Sequence, residues 1–204
     1  MHPTERLVRD GFTWTLRDGS PVWLQPVTAS DRDCLRDGFS RLSRRTIYQR
    51  FFRDLTRLDD RTLDAFTDVD QVDHVAWSAR DLTVPDMPGL ALGRFIRDAE
   101  DPSVAEVAFT VVDAHQRRGL GTLLMAVLTL RAEALGVRTL RAFTLPDNEA
   151  VDAWLRGFGA ETRSNGLLRE LDIPIGGESP LPPTPALARF MGLISELRPH
   201  LDGF

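Results

Sequence analysis

Apolar and polar residues alternate with period two over residues 12–16 (Phe-Thr-Trp-Thr-Leu) and again over 21–27, with Arg17-Asp18-Gly19-Ser20 between the two runs. Such alternation marks half-buried strands, and a turn cluster between two of them marks a hairpin. Ser30 and Asp31 supply N-caps for a helix through about Phe39. Helical spacing recurs over 43–52 and from about 59 to 67. Residues 74–80 read as a strand, and 81–89, with two prolines and a glycine, read as the loop to a partner strand at 90–97. Residues 104–112 are the most apolar strand. Next, Leu120, Leu123, Leu124, Val127, Leu128 and Leu135 share one face of a long amphipathic helix. A strand at 138–145, a helix at 148–156 and a hairpin over 161–172, turning at Asn165-Gly166, complete the pattern.

The resulting order, ββααα-βββ-αβαβ(β), predicts an α/β (α+β) protein with a mixed sheet flanked by helices. No internal repeat is visible. Residues 1–172 are read as one domain. From residue 173 the composition shifts to Gly-Gly-Glu-Ser-Pro-Leu-Pro-Pro-Thr-Pro, a semi-rigid linker. A short helix over 186–197 follows, with Leu187, Phe190, Met191, Ile194 and Leu197 on one stripe. That stripe must be covered, either by the domain itself or by a second subunit in a homodimer.

At 204 residues and 42 % hydrophobic content, the chain can bury a core of its own. Its net charge of −5 is dispersed, which gives no basic face for nucleic acid. No apolar run is long enough to span a membrane, and the first residues, Met-His-Pro-Thr-Glu-Arg, lack the apolar centre of a signal peptide. One cysteine, Cys34, cannot form an internal disulfide, and four scattered histidines show no metal-ligand spacing. A cytoplasmic, metal-free protein is expected. All 25 basic residues are arginine, so chemistry that needs a lysine of this chain is excluded.

The junction between the most apolar strand and the long helix is Asp113-Ala114-His115-Gln116-Arg117-Arg118-Gly119-Leu120-Gly121-Thr122. A helix N-terminus presents unpaired N–H groups and a partial positive charge, a natural seat for phosphates. Gly119 and Gly121 carry no Cβ, so the backbone can approach an anion closely. The spacing is not that of the dinucleotide fingerprint, and without lysine it is not a Walker loop.

Gln116, Gly119 and Gly121 match the Q/R-x-x-G-x-G/A loop, and with the strand before it and the helix after it the chain resembles the GNAT superfamily of acyl-CoA N-acyltransferases. The resemblance covers roughly residues 21–172. It implies the GNAT fold, a mixed and mostly antiparallel sheet. Acetyl-CoA is the implied acyl donor, its pyrophosphate held by Gln116, Arg117, Arg118, Gly119, Leu120, Gly121 and Thr122. Within the superfamily, Leu-Ser-Arg-Arg-Thr-Ile-Tyr-Gln-Arg-Phe-Phe, then His74-Val-Ala and Ala105-Glu-Val-Ala-Phe-Thr-Val, are most similar to Pat-type bacterial protein lysine acetyltransferases. Mycobacterial members carry an added cyclic-nucleotide-binding domain, and a chain of 204 residues is expected to lack that control.

Glu106 interrupts the most apolar strand. A carboxylate in such a setting is costly unless paired or functional, and burial would raise its pKa toward that of a general base. The resemblance gives it the same role, because the Pat-type catalytic glutamate lies ten residues before the loop Gln, where Glu106 stands. A base is needed: a lysine amine of pKa about 10.4 costs about 4–5 kcal/mol to deprotonate at pH 7. Backbone N–H groups around Phe109, Thr110 and Val111 would polarise the thioester carbonyl. Asn148 is expected to cap the following helix and, by resemblance, to contact the cofactor. Many members place a tyrosine one helix later to protonate the leaving thiolate. Here that place falls near Phe158 and the single tyrosine is Tyr48, so no general acid is assigned. A thiol of pKa about 8.5 also departs as thiolate. His74 and His115 are read as structural or exposed rather than catalytic. The acceptor is expected to be a protein lysine or a small amine; a non-catalytic acyl-CoA-binding module is the reading from another class.

Overall fold

The protein, described here from a computed structural model, is defined over residues 11–176 and 184–201. Eight strands form one sheet: β1 (Phe12–Thr15), β2 (Pro21–Pro26), β3 (His74–Asp81), β4 (Gly89–Arg97), β5 (Val104–Val111), β6 (Thr139–Thr144), β7 (Glu161–Asn165) and β8 (Leu168–Pro174). Their order is β1-β2-β3-β4-β5-β6-β8-β7, and every neighbouring pair is antiparallel except β5–β6. This is the mixed, mostly antiparallel α/β arrangement that the element order implied.

Helices cover both faces. α1 (Arg32–Ser40), α2 (Arg44–Phe51) and α3 (Asp60–Thr67) lie on one. They share a small core of Phe39, Ile47, Leu58 and Leu63. The main core forms on the opposite face, where Val75, Trp77, Phe95, Ala105, Val107 and Leu140 meet α4 (Leu120–Ala134). Alternation along the strands dictates this split, since successive side chains point to opposite faces.

Two expectations are corrected. α4 is not amphipathic: its residues from Leu123 through Ala132 are all buried. The sheet takes one side, and the C-terminal helix α6 (Pro185–Leu201) lies across the other. Asp31 does not cap α1 with its side chain. Its carboxylate instead accepts from the Thr28 N–H at 2.7 Å, from the Gln25 amide at 2.9 Å and from Arg80.

α6 buries Phe190, Ile194, Leu197 and Leu201, a stripe at helical spacing, while Met191 lies off it and is 54 % exposed. Phe190 meets Phe158 at 4.3 Å, beyond the end of α5 (Glu149–Arg156). At the other end His200 stacks on Phe12 at 4.9 Å. The helix therefore bridges α5 and β1 over α4. Residues 177–183 of the linker read from residue 173, and the N-terminal segment 1–10, lie outside the described residues.

Candidate functional site

β5 and β6 pair only from Val104–Thr139 to Glu106–Arg141. β4 stays registered along β5 as far as Val111, so beyond Glu106 the two parallel strands part and leave a cleft. Val112 donates its N–H to Leu90 on the β4 side. Strand alternation then turns the backbone groups of Phe109 and Val111 toward the cleft and those of Thr110 away from it. Thr110 lines an apolar cavity under α1 with Cys34, Phe39 and Leu92. A wedge fills the α4 side of the cleft: Phe109 and Trp154 of α5 meet edge-to-face at 5.5 Å, and Trp154 donates its indole N–H to Thr122 at 3.2 Å.

The loop after β5 ends at the N-terminus of α4. Gly119 is the N-cap in the left-handed region (φ 95°), and Arg117 is also left-handed (φ 61°). An added Cβ on Gly119 would meet nothing within 4 Å, so the backbone angle makes glycine necessary there. Gly121 differs, because its Cβ would touch the Trp154 ring at 3.5 Å, an ordinary contact. Gln116 donates to the Val111 carbonyl at 3.2 Å, bracing the strand end. Arg117 is exposed. Arg118 is pinned: its Nε donates to Asp18 at 2.7 Å and its Nη2 to Ser20 at 2.6 Å, which ties the β1–β2 turn to the loop. The bond from Arg118 holds the Asp18 carboxyl well below the usual carboxylate range.

A cavity of about 440 Å³ opens above this helix end. Arg118, Gly119 and Thr122 line it with Trp14, and two further arginines, Arg17 and Arg189, come from the β1–β2 turn and from α6. Sequence spacing gave no hint of the last two. Their convergence depends on the docking of α6.

Glu106 stands on β5 as expected, but it is exposed rather than buried. Ala105 and Val107, its neighbours, point into the core instead. Burial is therefore not what would make Glu106 a base, and the expectation built on burial is corrected. Among the described residues it makes no hydrogen bond or ion pair of its own. It shares its face with Arg94 and lies within electrostatic reach of both Arg94 and Arg50. The nearby His74 is pushed down to about 4 by burial and by the Arg94 charge, which leaves it neutral at pH 7. His115 is lowered for the same kind of reason, through burial and Arg118.

Asn148, at the β6 end of the cleft, occupies the N-cap of α5 but makes no side-chain capping bond. The polar work there is done by Asp152, which is buried. Asp152 accepts from Thr144 at 2.6 Å and pairs with Arg169. On the other side, Asp113 accepts from the Ser43 N–H and the Thr46 hydroxyl, both at 2.8 Å, and so fixes α2 to the end of β5.

These features are the marks of one family. The sequence profile of the acetyltransferase (GNAT) family matches residues 45–160, and the chain belongs to this family of acyltransferase enzymes. Acetyltransferase Pat of Mycolicibacterium smegmatis is 32 % identical over 162 residues, which cover 78 % of this chain and 48 % of that protein. The chain thus spans about half the length of this relative. The GNAT domain of Pat from S. lividans superposes with a TM-score of 0.74 at 26 % identity, covering 86 % of this chain and all of that one. An acetyltransferase of Salmonella typhimurium, solved with its cofactor acetyl-CoA, shares the fold at a TM-score of 0.60 and 14 % identity, covering 80 % and 98 % of the two chains. Among the described residues no helix is long and apolar enough to cross a membrane.

Proposed function

We propose that the chain transfers the acetyl group of acetyl-CoA to lysine side chains of proteins. The observation that carries this reading is the parting of β5 from β6 directly after Glu106, with the α4 helix end at the far end of the same strand. The five residues from Val107 to Val111 span on the order of 16 Å of extended chain. An extended pantetheine arm fits such a channel, its thioester near Glu106 and its pyrophosphate near Gly119. Similarity to the Pat acetyltransferases favours protein lysine as the acceptor.

The residues take roles on that footing. Backbone N–H groups of Gly119, Leu120, Gly121 and Thr122 meet the pyrophosphate at the positive end of α4. Arg118 lends charge from its fixed position, with Arg117 exposed beside it, while Gln116 holds the strand end in place. The cleft-facing backbone of Phe109 and Val111 receives the pantetheine and polarises the thioester carbonyl. Asn148 faces the cofactor from the β6 bank. Thr110, turned away, keeps only a packing role.

Glu106 removes a proton from the lysine ammonium, directly or through a water. The neutral amine then forms a bond to the acetyl carbon, the C–S bond breaks, and CoA leaves as thiolate. The amide nitrogen gives its remaining extra proton to the departing thiolate, through solvent, and Glu106 returns its own proton to solvent. Exposure suits Glu106 to this work, because a protein acceptor must reach it from solvent.

The deciding experiment is acetyl transfer to a panel of proteins, peptides and small amines, read by intact mass. Mass gains of one acetyl per modified lysine are expected only with acetyl-CoA present. Transfer confined to small amines would remove proteins as the acceptor, and no transfer to any member would overturn the reading.

A further inference from the structure

We propose that Arg50 and Arg94 form a seat for a carboxylate carried beside the reacting amine, so that preferred acceptors are lysines flanked by Asp or Glu. The inference rests on Glu106 as the point where the amine reacts. Strand register places the seat. Ile96 of β4 lies opposite Glu106, and Arg94 lies opposite Ala108, so both share the Glu106 face. Arg94 and Glu106 are diagonal neighbours, with Cβ atoms separated by about 7–8 Å in such pairs. That is a fitting distance between a lysine amine and a carboxylate one or two residues away. α2, held against β5 through Asp113, brings Arg50 to the same place.

Arg94 is only 5 % exposed. Its Nη2 is used, donating to the Ala65 carbonyl at 3.3 Å and meeting His74, and the Phe66 ring lies over the guanidinium at 4.3 Å. Its Nη1 is buried without a hydrogen-bond partner. Arg50 lies over its neighbour Phe51 and makes no ion pair among the described residues. Burial and the Arg50 charge bring the Arg94 pKa down to about 10, against the pull of Glu106, and burial also lowers Arg50. Two cations that share a site are costly when the single carboxylate near them, Glu106, acts only through space and bonds to neither. His74 does not relieve them, since it is neutral at pH 7.

Arg141 supplies the contrast. It flanks Glu106 on the β6 side and is matched by Asp172 at 2.7 Å and Glu170 at 3.2 Å. The fold therefore pairs the arginine on one side of Glu106 with bonded carboxylates and gives the two on the other side no bonded carboxylate among the described residues. Guanidinium groups bind carboxylates through paired, charge-assisted hydrogen bonds, and this arrangement offers two donors to one anion. Ile96, 47 % exposed and directly opposite Glu106, gives the lysine stem an apolar bank. A free amino acid would offer the same carboxylate-plus-amine chemistry from a different source.

The test uses the full chain and fluorescein-labelled lysine hexapeptides that carry Asp or Asn at each flanking position in turn. Binding is read by anisotropy with CoA present, and transfer is read with acetyl-CoA. At the favoured position, Asp over Asn should improve affinity and kcat/KM by roughly tenfold, through KM rather than kcat. Arg50→Gln should abolish the preference, read as the ratio of Asp to Asn peptides within the same variant. Arg94 is buried, so its fork is tested by Arg94→Lys, which keeps the charge and should retain only part of the preference. Equal handling of Asp and Asn peptides by the wild type, or an unchanged preference in Arg50→Gln, would overturn the seat. Acidic peptides that bind with the preference but are never acetylated would uphold the seat and sink the acetylation reading. Unlabelled free lysine displacing the acidic peptide at equal affinity would uphold the seat and assign its carboxylate to a free amino acid.

Discussion

Trp154 of α5 donates its indole N–H to the Thr122 hydroxyl in the first turn of α4, at 3.2 Å, while its ring meets Phe109 of β5 edge-to-face. One side chain thus joins α5, α4 and β5 beside the cleft. Trp154→Ala should remove a half-buried aromatic, costing about 2–3 kcal/mol, and lower Tm by roughly 5–10 °C. Because the wedge also fills the α4 side of the cleft, acetyl-CoA should bind more weakly as well. Calorimetry with and without acetyl-CoA separates the two effects, and a variant with lower Tm but unchanged affinity would detach the wedge from cofactor binding.

The two loop glycines should behave differently. Gly119 has φ 95°, so Gly119→Ala strains the backbone by about 1–2 kcal/mol at the phosphate seat. Gly121→Ala adds only a contact to Trp154 at 3.5 Å and should be tolerated. Acetyl-CoA affinity by calorimetry should fall for Gly119→Ala and stay near wild type for Gly121→Ala. Equal losses in both would mean that absence of Cβ, rather than backbone angle, governs the loop. Gly119→Glu, which places a carboxylate at the seat, should abolish binding.

Much of this was legible in the chain. Period-two alternation located the strands to within one or two residues, because that signal comes from one buried face per element, and helical spacing located α4 although that helix is buried on both sides. Gly119 was singled out for its missing Cβ, whereas the left-handed backbone angle is what requires glycine there. Burial of Glu106 was misjudged for a physical reason: an apolar run such as Val-Ala-Glu-Val-Ala shows that one face is buried, not that both are. Ala108, on the Glu106 face, looked like core and is only half-buried. Arg17, Arg189, Arg50 and Arg94 left no local signal, since they converge through register and helix docking over long separations.

Glu106→Gln should leave acetyl-CoA affinity near wild type and lower kcat by roughly 10²-fold, the usual scale for loss of a general base. The deficit should shrink at higher pH, where more of the lysine amine is already neutral. Rates for both proteins across pH 6–9 check this. Parallel profiles with no deficit would take Glu106 out of the mechanism.

His74 gives a pH dependence of stability with a definite sign. Its pKa in the folded protein is about 4, below its ordinary value near 6.5. Between those values the unfolded chain binds a proton that the native state refuses, so stability falls as pH drops from about 6.5 toward 4. Burial first and the Arg94 charge second enforce the refusal, partly opposed by Asp70 and Asp68. Since His74 is only partly buried, the loss should be modest, on the order of 1 kcal/mol after solvent screening. Urea unfolding of wild type and His74→Gln at pH 7.0 and 5.0 isolates it from the carboxylates. The wild type should lose more than the variant over that interval, and equal losses would show that His74 titrates normally.

The C-terminal helix has two separable effects. Phe190, Ile194, Leu197 and Leu201 seal the outer side of α4, so removing residues 185–204 exposes a helix that is buried on both sides in the full chain. A large fall in Tm or insolubility is expected, on the scale of several buried apolar side chains at about 1.5–3 kcal/mol each before ordering costs. Arg189 lies on the exposed side of the same helix and reaches the cavity above Gly119. Arg189→Ala should leave Tm unchanged and weaken acetyl-CoA by about three- to fivefold, the scale of a solvent-screened charge. The missing charge should matter most for the 3′-phosphate end of CoA, so 3′-dephospho-CoA should bind wild type and Arg189→Ala alike. If the variant loses affinity equally for CoA and 3′-dephospho-CoA, Arg189 serves the pyrophosphate instead. If truncation leaves Tm, sedimentation mass and affinity intact, α6 neither seals α4 nor completes the cofactor site.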